Sequence, residues 1–307
     1  MAERTVEELL NCGIIVLDKW SGPTSHDVVN TVRKTLGSKQ VGHSGTLDPS
    51  VTGVLVATLN NACKIIPAIQ GENKEYVGII HLHKDVSDSD FESAIKKFTG
   101  KISQRPPVKS AVSRKKRKRT VHEIIILDRK DNNICLYVKC QAGTYIRKLF
   151  HDMGQYLGCG AHMKELRRVR AGSFDESESH TMQEVADAFK KWRDGDGSAL
   201  RKIILPVEEG VKHLNKVYIK DTAVFSVVNG SPVYSSGIAK TEGKIANNDL
   251  VAIMSSRGEL VAIGNTNFRG DYKTQTEKKF LAVKTDRVIM SHDVAEEYKK
   301  KNAETGI

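Results

Sequence analysis

Long apolar runs are missing from this sequence: nothing in it approaches the ~18 consecutive apolar residues that a membrane-spanning helix requires. Cysteine is scarce and odd in number, at Cys12, Cys63, Cys135, Cys140 and Cys159, and no two form a C-x-x-C pair. That argues against both a disulfide framework and a zinc ribbon, and the five read as core thiols of a reducing compartment. Ligand clusters are equally thin. The only close histidine pair is His81-Leu82-His83. With no third ligand near it in sequence, it reads as two surface histidines and no metal is expected. The first eight residues carry acids and no apolar h-region, so they read as no secretory leader. Acids are also in short supply, 37 Asp and Glu against 48 Lys and Arg, a formal charge of +11. A basic excess of this size points to a polyanionic partner, most often nucleic acid.

What is present is an ordinary globular composition, 39% hydrophobic and 28% charged over 307 residues. About 150 residues per domain makes that two domains. Strands are predicted over Gly13–Leu17, Val54–Leu59, Tyr76–Leu82, Ile124–Leu127 and Ile134–Cys140. Helices are predicted over Ser25–Leu36, with Ser25 at the cap, over Ser89–Phe98, with Ser89 and Glu92 as a capping box, and over Thr144–Leu157. Residues 42–53 read as a glycine-punctuated loop. A boundary falls near 206–214. Beyond it come short strands, a hairpin around Ser255-Ser256-Arg257-Gly258 and almost no helix, the pattern of a small β-barrel-like module. This sets domains at 1–212 and 213–292, then a charged tail at 293–307.

Residues 101–119 hold nine cations and no acid, including Arg105, Lys109, Arg114, Lys115, Lys116, Arg117, Lys118 and Arg119. Pro106-Pro107 bars a regular start, so the segment reads as a surface loop. Such a loop suits phosphate contact through counterion release. The bland alternative is a solvated loop or a localisation signal. A second basic cluster, Lys164 to Arg170, tips the balance toward nucleic acid.

Gly42-His43-Ser44-Gly45-Thr46-Leu47-Asp48-Pro49-Ser50-Val51-Thr52-Gly53 carries the most information. Pro49 keeps Asp48 from helical dihedrals, and the glycines let the backbone approach another chain or a ligand. The residues themselves leave two readings open. Asp48 is a nucleophile or general base, or it is an Asx-turn residue that stabilises its own loop.

The stretch GHSGTLDPSVTGVL resembles the catalytic motif of TruB-type pseudouridine synthases. Asp18-Lys19-Trp20-Ser21-Gly22-Pro23-Thr24-Ser25-His26 resembles the family's upstream motif, and Lys74-Glu75-Tyr76 its tyrosine motif. Gly143-Thr144-Tyr145-Ile146-Arg147, Gly158-Cys159-Gly160-Ala161-His162 and Leu166-Arg167-Arg168 resemble its third region. The likeness covers residues 13–174. Gln104-Arg105-Pro106-Pro107 looks closest to the dyskerin-like branch, and the C-terminal module resembles a PUA domain.

The resemblance implies an α+β fold: a mixed, largely antiparallel central sheet with flanking helices, plus a small β-barrel-like PUA domain on which the N-terminal ~12 residues are expected to pack. It implies RNA-guided isomerisation of uridine to pseudouridine in rRNA or tRNA, as catalytic subunit of a box H/ACA ribonucleoprotein. The alternatives are a stand-alone enzyme for the tRNA T-loop and a non-catalytic RNA-binding scaffold. By motif position Asp48, Tyr76 and Arg147 would be catalytic. His43, Tyr145, Leu166 and Lys19 would bind substrate, and the basic loop would contact RNA. The bland readings are core packing for Tyr76, Tyr145 and Leu166, a surface arginine, a backbone-bonded histidine and a solvated lysine. No cofactor and no metal are implied. Partners would be guide RNA, substrate RNA and small accessory proteins, namely a kink-turn binder and two that bind the catalytic domain, with no membrane. Location would be cytoplasmic for an archaeal-like chain and nucleolar for a eukaryotic one.

Overall fold

The structure, a computed structural model, describes residues 4–105, 115–274 and 279–304. The chain begins α1 (Val6–Asn11), β1 (Gly13–Lys19), α2 (Ser25–Thr35), β2 (Val41–His43), β3 (Thr52–Leu59), α3 (Ile66–Gln70), β4 (Lys74–Leu82) and α4 (Asp88–Phe98). It continues β5 (Gly100–Gln104), β6 (Arg117–Lys130), β7 (Asn133–Cys140), α5 (Ile146–Tyr156), β8 (Ala161–Ala171), β9 (Phe174–Asp175), α6 (Met182–Arg193), α7 (Ser198–Ile203) and β10 (Ile204–Pro206). These strands make one sheet in the order β10-β1-β3-β8-β4-β7-β6-β5, with β2 on β3 and β9 on β8. Every pairing in it is antiparallel except the short β3–β8 seam, Thr52 to Arg167 and Gly53 to Arg168.

That seam needs glycine. Gly53 has φ +97, and a Cβ there would lie 2.2 Å from the Arg168 carbonyl oxygen. The close approach brings the end of the 44–51 loop against β8.

A second sheet follows: β11 (Lys216–Ile219), β12 (Val233–Tyr234), β13 (Ile238–Glu242), β14 (Leu250–Met254), β15 (Leu260–Thr266) and β16 (Leu281–Val288), ordered β12-β16-β15-β14-β11-β13. Helices α8 (Asp221–Val228) and α9 (His292–Glu304) belong to it. Apolar residues of both sheets share one cluster, with Ile14, Val16, Val54 and Val56 meeting Ala252, Met254, Leu260 and Ile263.

Several expectations are corrected. Thr24, not Ser25, caps α2, in a reciprocal box with Asp27. Ser87 caps α4 through Asp90, so the Ser89–Glu92 box does not form. Ahead of α2 only Thr24 has an acid three residues on, Asp27, whereas ahead of α4 two overlapping sets, Ser87–Asp90 and Ser89–Glu92, compete and the first forms. Residues 42–53 are not all loop, since β2 pairs with β3 as a hairpin. The second module has helix: Val224, Val227 and Val228 of α8 are buried. Residues from 293 on are not simply a tail, because α9 buries Ala295 and Tyr298 in that module's core. The N-terminal helix packs on the first sheet's core through Val6 and Leu9, while Cys12 just after it packs against the cluster that both sheets share. Among the described residues, Arg4 links this segment to the second sheet by relay. Arg4 Nη2 donates to Glu208 Oε1 at 2.6 Å, and that oxygen accepts from the Leu260 N–H at 2.8 Å.

Candidate functional site

The 44–51 loop is irregular, so its backbone polar groups need partners from outside it. Buried side chains supply them. Ser25 Oγ donates to the Leu47 carbonyl at 3.1 Å and accepts from the Leu47 N–H at 2.8 Å. Lys19 is fully buried, and its Nζ donates to the carbonyls of Trp20, Pro49 and Val51 at 2.8, 3.0 and 2.9 Å. Arg168, 2% exposed, donates from Nε to the Val54 carbonyl at 2.7 Å and from Nη2 to the Gly45 carbonyl at 3.1 Å. Leu47 and Val51 plug the core on either side of Asp48.

The fixed loop leaves the Asp48 carboxylate standing in solvent. Arg147 reaches it from the first turn of α5, Nη2 to Oδ2 at 2.5 Å, and both side chains are about half exposed. Exposed ion pairs contribute only about 0–1 kcal/mol to stability. The pair therefore orients the carboxylate more than it holds the fold together.

Tyr76 lies on β4, across from Arg168 on β8, and is 8% exposed. Burial pushes its phenol pKa up, the Arg168 guanidinium beside it pulls the other way, and the Asp48 charge adds to the rise. The hydroxyl is therefore a neutral group within the electrostatic reach of Asp48. Beneath the loop, Lys74 is buried with Nζ donating to the Glu72 carbonyl at 2.7 Å, and desolvation with the nearby Arg168 lowers its pKa to about 8. Burial also lowers the Lys19 pKa, against the pull of Asp48.

The remaining predicted residues fall as follows. His43, half-buried on β2, accepts the Gly45 N–H at Nδ1 at 3.3 Å, which places its ring proton on Nε2. Burial, then Arg168 and His26, lower its pKa, so the ring is neutral at pH 7. Tyr145 occupies the cap position of α5. Leu166 is buried on β8 over Gly78, where a Cβ would meet its Cδ1 at 2.7 Å. Lys19 is not solvated: its ammonium group is taken up by three carbonyls, and it staples the loop. Arg105, Lys115, Lys116 and Lys118 are exposed, whereas Lys109 and Arg114 lie outside the described residues. Arg117–Arg119 are not loop: they pair with Ile102–Gln104 as part of β6.

The second basic cluster is corrected as well. Arg167 pairs with Asp18 and Glu176 and Arg170 with Glu75 and Asp175, both partly exposed, and Arg168 is buried, so three of its cations already have partners within the chain. The histidine pair gains a third member, since β8 sets His162 beside it, with His83 Nε2 and His162 Nδ1 2.9 Å apart. Even so, among the described residues no three His, Cys, Asp or Glu are arranged to hold a metal ion. At the site itself the Asp48 and Arg147 side chains are half exposed. A cavity of about 710 Å³ lies elsewhere, lined by Asp18, Lys19, Trp20, Thr52, Arg167 and Met182.

Sequence reasoning did not find the buried roles of Ser25, Lys74 and Arg168. All three stand in motifs already singled out, but no local signal marks a polar or charged side chain that is to be buried.

Models of known families match in sequence. The N-terminal domain of TruB family pseudouridylate synthases matches residues 33–146, the tRNA pseudouridylate synthase B C-terminal domain 147–212, and the PUA domain 215–289. A DKCLD domain matches residues 2–29. A probable tRNA pseudouridine synthase B of Methanocaldococcus jannaschii is 45% identical over 289 residues, covering 94% of this chain and 86% of the relative. Its counterpart in Korarchaeum cryptofilum is 45% identical, covering 95% and 90%. Among solved structures, a Cbf5-Nop10-Gar1 complex gives a TM-score of 0.90 at 42% identity, covering 95% of this chain and 89% of that one. An H/ACA RNP bound to a substrate RNA containing 2'-deoxyuridine gives 0.87 at 40% identity, covering 94% and 89%.

Proposed function

The chain belongs to the TruB family of pseudouridine synthases, and on that premise we propose that it isomerises uridine at Asp48 in RNA positioned by a guide RNA. The observation that carries the site assignment is one carboxylate, exposed on an otherwise immobilised loop and clamped by Arg147 at 2.5 Å.

The chemistry balances without a co-reactant. The N1–C1′ bond breaks, the uracil turns, a C5–C1′ bond forms, and the proton lost from C5 is matched by one gained at N1. Bond breaking develops positive charge at C1′. An anion fixed beside it, attached to a loop that does not yield, stabilises that charge, and a carboxylate can also take a covalent bond at such a carbon. Attack on the sugar, attack on the base and removal of a ribose proton all remain within reach of the same oxygen atoms. Arg147 would hold the carboxylate in line. The neutral Tyr76 phenol would stack on the base and relay the C5 proton. Leu166 and Tyr145 would line the uracil's place.

The target base must leave its stack, at a cost of a few kcal/mol. His43, planar and uncharged, would fill the space left behind. Lys19 would act by holding the loop. The exposed cations from Arg105 to Arg119 would neutralise backbone phosphates without reading sequence.

Guide dependence is supported by the likeness to H/ACA complexes, which also favours accessory proteins of the Nop10 and Gar1 kind; a kink-turn binder belongs to the same proposal, as does a cytoplasmic location. The relatives' names favour the second reading, direct action on tRNA. Pseudouridine formation measured on bare tRNA, and on substrate with guide RNA and accessory proteins, separates the two. Guide-dependent turnover with at least a tenfold weaker rate on bare tRNA supports the first. Equal rates on bare tRNA overturn it.

A further inference from the structure

We infer that Gln104 is a positioning residue for Arg147, tying the cation-bearing strand pair β5–β6 to the Asp48 site; the inference rests on the role proposed for Arg147. Arg147 is the second residue of α5, and where the first turn of a helix points depends on how its cap is held. The cap residue Tyr145 makes no capping bond with its own side chain. Its backbone is gripped instead by the Gln104 carboxamide. The Tyr145 N–H donates to Gln104 Oε1 at 3.0 Å, and Gln104 Nε2 donates to the Tyr145 carbonyl at 3.1 Å. One side chain thus fixes both backbone groups of one residue, setting orientation as well as distance.

Gln104 is 3% exposed and ends β5, paired with Arg117 on β6. It lies next to Arg105 in sequence, so it is the last buried residue before the exposed cations. The turn before α5 is fastened to β6 as well. The Gln141 N–H donates to the Thr120 carbonyl at 2.8 Å, and the Thr120 N–H donates to Gln141 Oε1 at 3.2 Å. Gly143, φ +77, leaves room for the Arg119 guanidinium, which a Cβ there would meet at 3.1 Å. Residues 141–145 are therefore bonded to both strands that flank the basic segment. Any shift of β5–β6 under bound RNA moves the Tyr145 backbone, and Arg147 two residues on moves with it. A displacement near 1 Å at a reacting group is worth up to about 100-fold in rate.

The test is a double-mutant cycle on the full chain in its assembled complex, read by single-turnover pseudouridine formation and by RNA affinity. Gln104→Met, which keeps the volume and loses both bonds, should slow the single-turnover step by about 10- to 100-fold. RNA affinity should stay within about threefold. In an Arg147→Ala background the same substitution should cost nothing further, because Gln104 acts through Arg147. Gln104→Glu should recover rate relative to Gln104→Met as pH falls, since a protonated carboxyl again offers one donor and one acceptor. If Gln104→Met fails to fold, Gln104→Glu in both backgrounds carries the cycle. A full rate for Gln104→Met, or losses that multiply with Arg147→Ala, overturns this inference alone. A full rate for Arg147→Ala overturns it together with the reading of Arg147.

Discussion

Arg168 and Lys19 beneath the Asp48 loop, and Arg117 and Lys118 on the β5–β6 pair, are the same kinds of residue put to opposite uses. The first two are buried with their donors spent on backbone carbonyls, so that an irregular loop behaves as a rigid mount. The second two sit on a regular strand pair and keep their charge at or near the surface. An irregular segment is here the one tied down by buried side chains, and a regular one offers the exposed electrostatic surface. Counting cations along the sequence therefore overstates how many can meet a polyanion. What decides is whether main-chain oxygen atoms compete for them.

That contrast can be broken from either side. The largest effect should come from Lys19→Met, which removes the side-chain donor from the carbonyls of Trp20, Pro49 and Val51 and leaves Pro49 only the Gly22 N–H, at roughly 1–3 kcal/mol for each carbonyl left unpaired, less wherever water enters. We expect a loss of about 3 kcal/mol or more in urea unfolding, with turnover falling in step. Unchanged stability would mean that the loop holds itself.

Next in size, replacing Lys115, Lys116, Arg117 and Lys118 with alanine should lower the slope of log affinity against log salt by about 0.7–0.9 for each phosphate that is no longer neutralised. The folding midpoint should hardly move. An unaltered slope would reduce the run to a solvated segment.

The smallest effect concerns Lys74, whose pKa of about 8 in the folded protein lies below the ordinary 10.5. Between those values the unfolded chain binds the extra proton, so this group's contribution to stability rises with pH from 8 to 10.5. Cys12 and Cys140, each raised from 9.0 to about 12, act in the opposite direction above pH 9. The clean measurement is therefore the stability difference between wild type and Lys74→Met across that range. A flat difference would show that Lys74 is not desolvated.

Much of this was legible in the sequence. The strand cores, the helices at 25–35, 88–98 and 146–156, and the loop around Asp48 follow from apolar spacing and from glycine and proline. Motif likeness placed Arg147 with Asp48, ninety-nine positions apart. The rest depends on long-range placement. The competing caps Ser87 and Ser89, each with an acid three residues on, cannot be ranked until the chain's entry direction is known, and that Ser25 serves the Leu47 backbone depends on a loop twenty-two residues away. Burial of Lys19 and Arg168 defies the usual exposure of charged residues and is justified only by carbonyls that other segments bring. His162 joins His83 from seventy-nine positions away, across paired strands.

The central claim is that Asp48 performs the isomerisation. Its most direct test is Asp48→Asn, measured by release of tritium from uridine labelled at C5 under single-turnover conditions, with guide and substrate RNA bound. The side chain keeps its size and loses its charge. Label release is expected to be at least a thousandfold slower (on the order of ~4 kcal/mol of lost transition-state stabilisation), with RNA affinity within a few-fold of wild type. Release at the wild-type rate would contradict the claim.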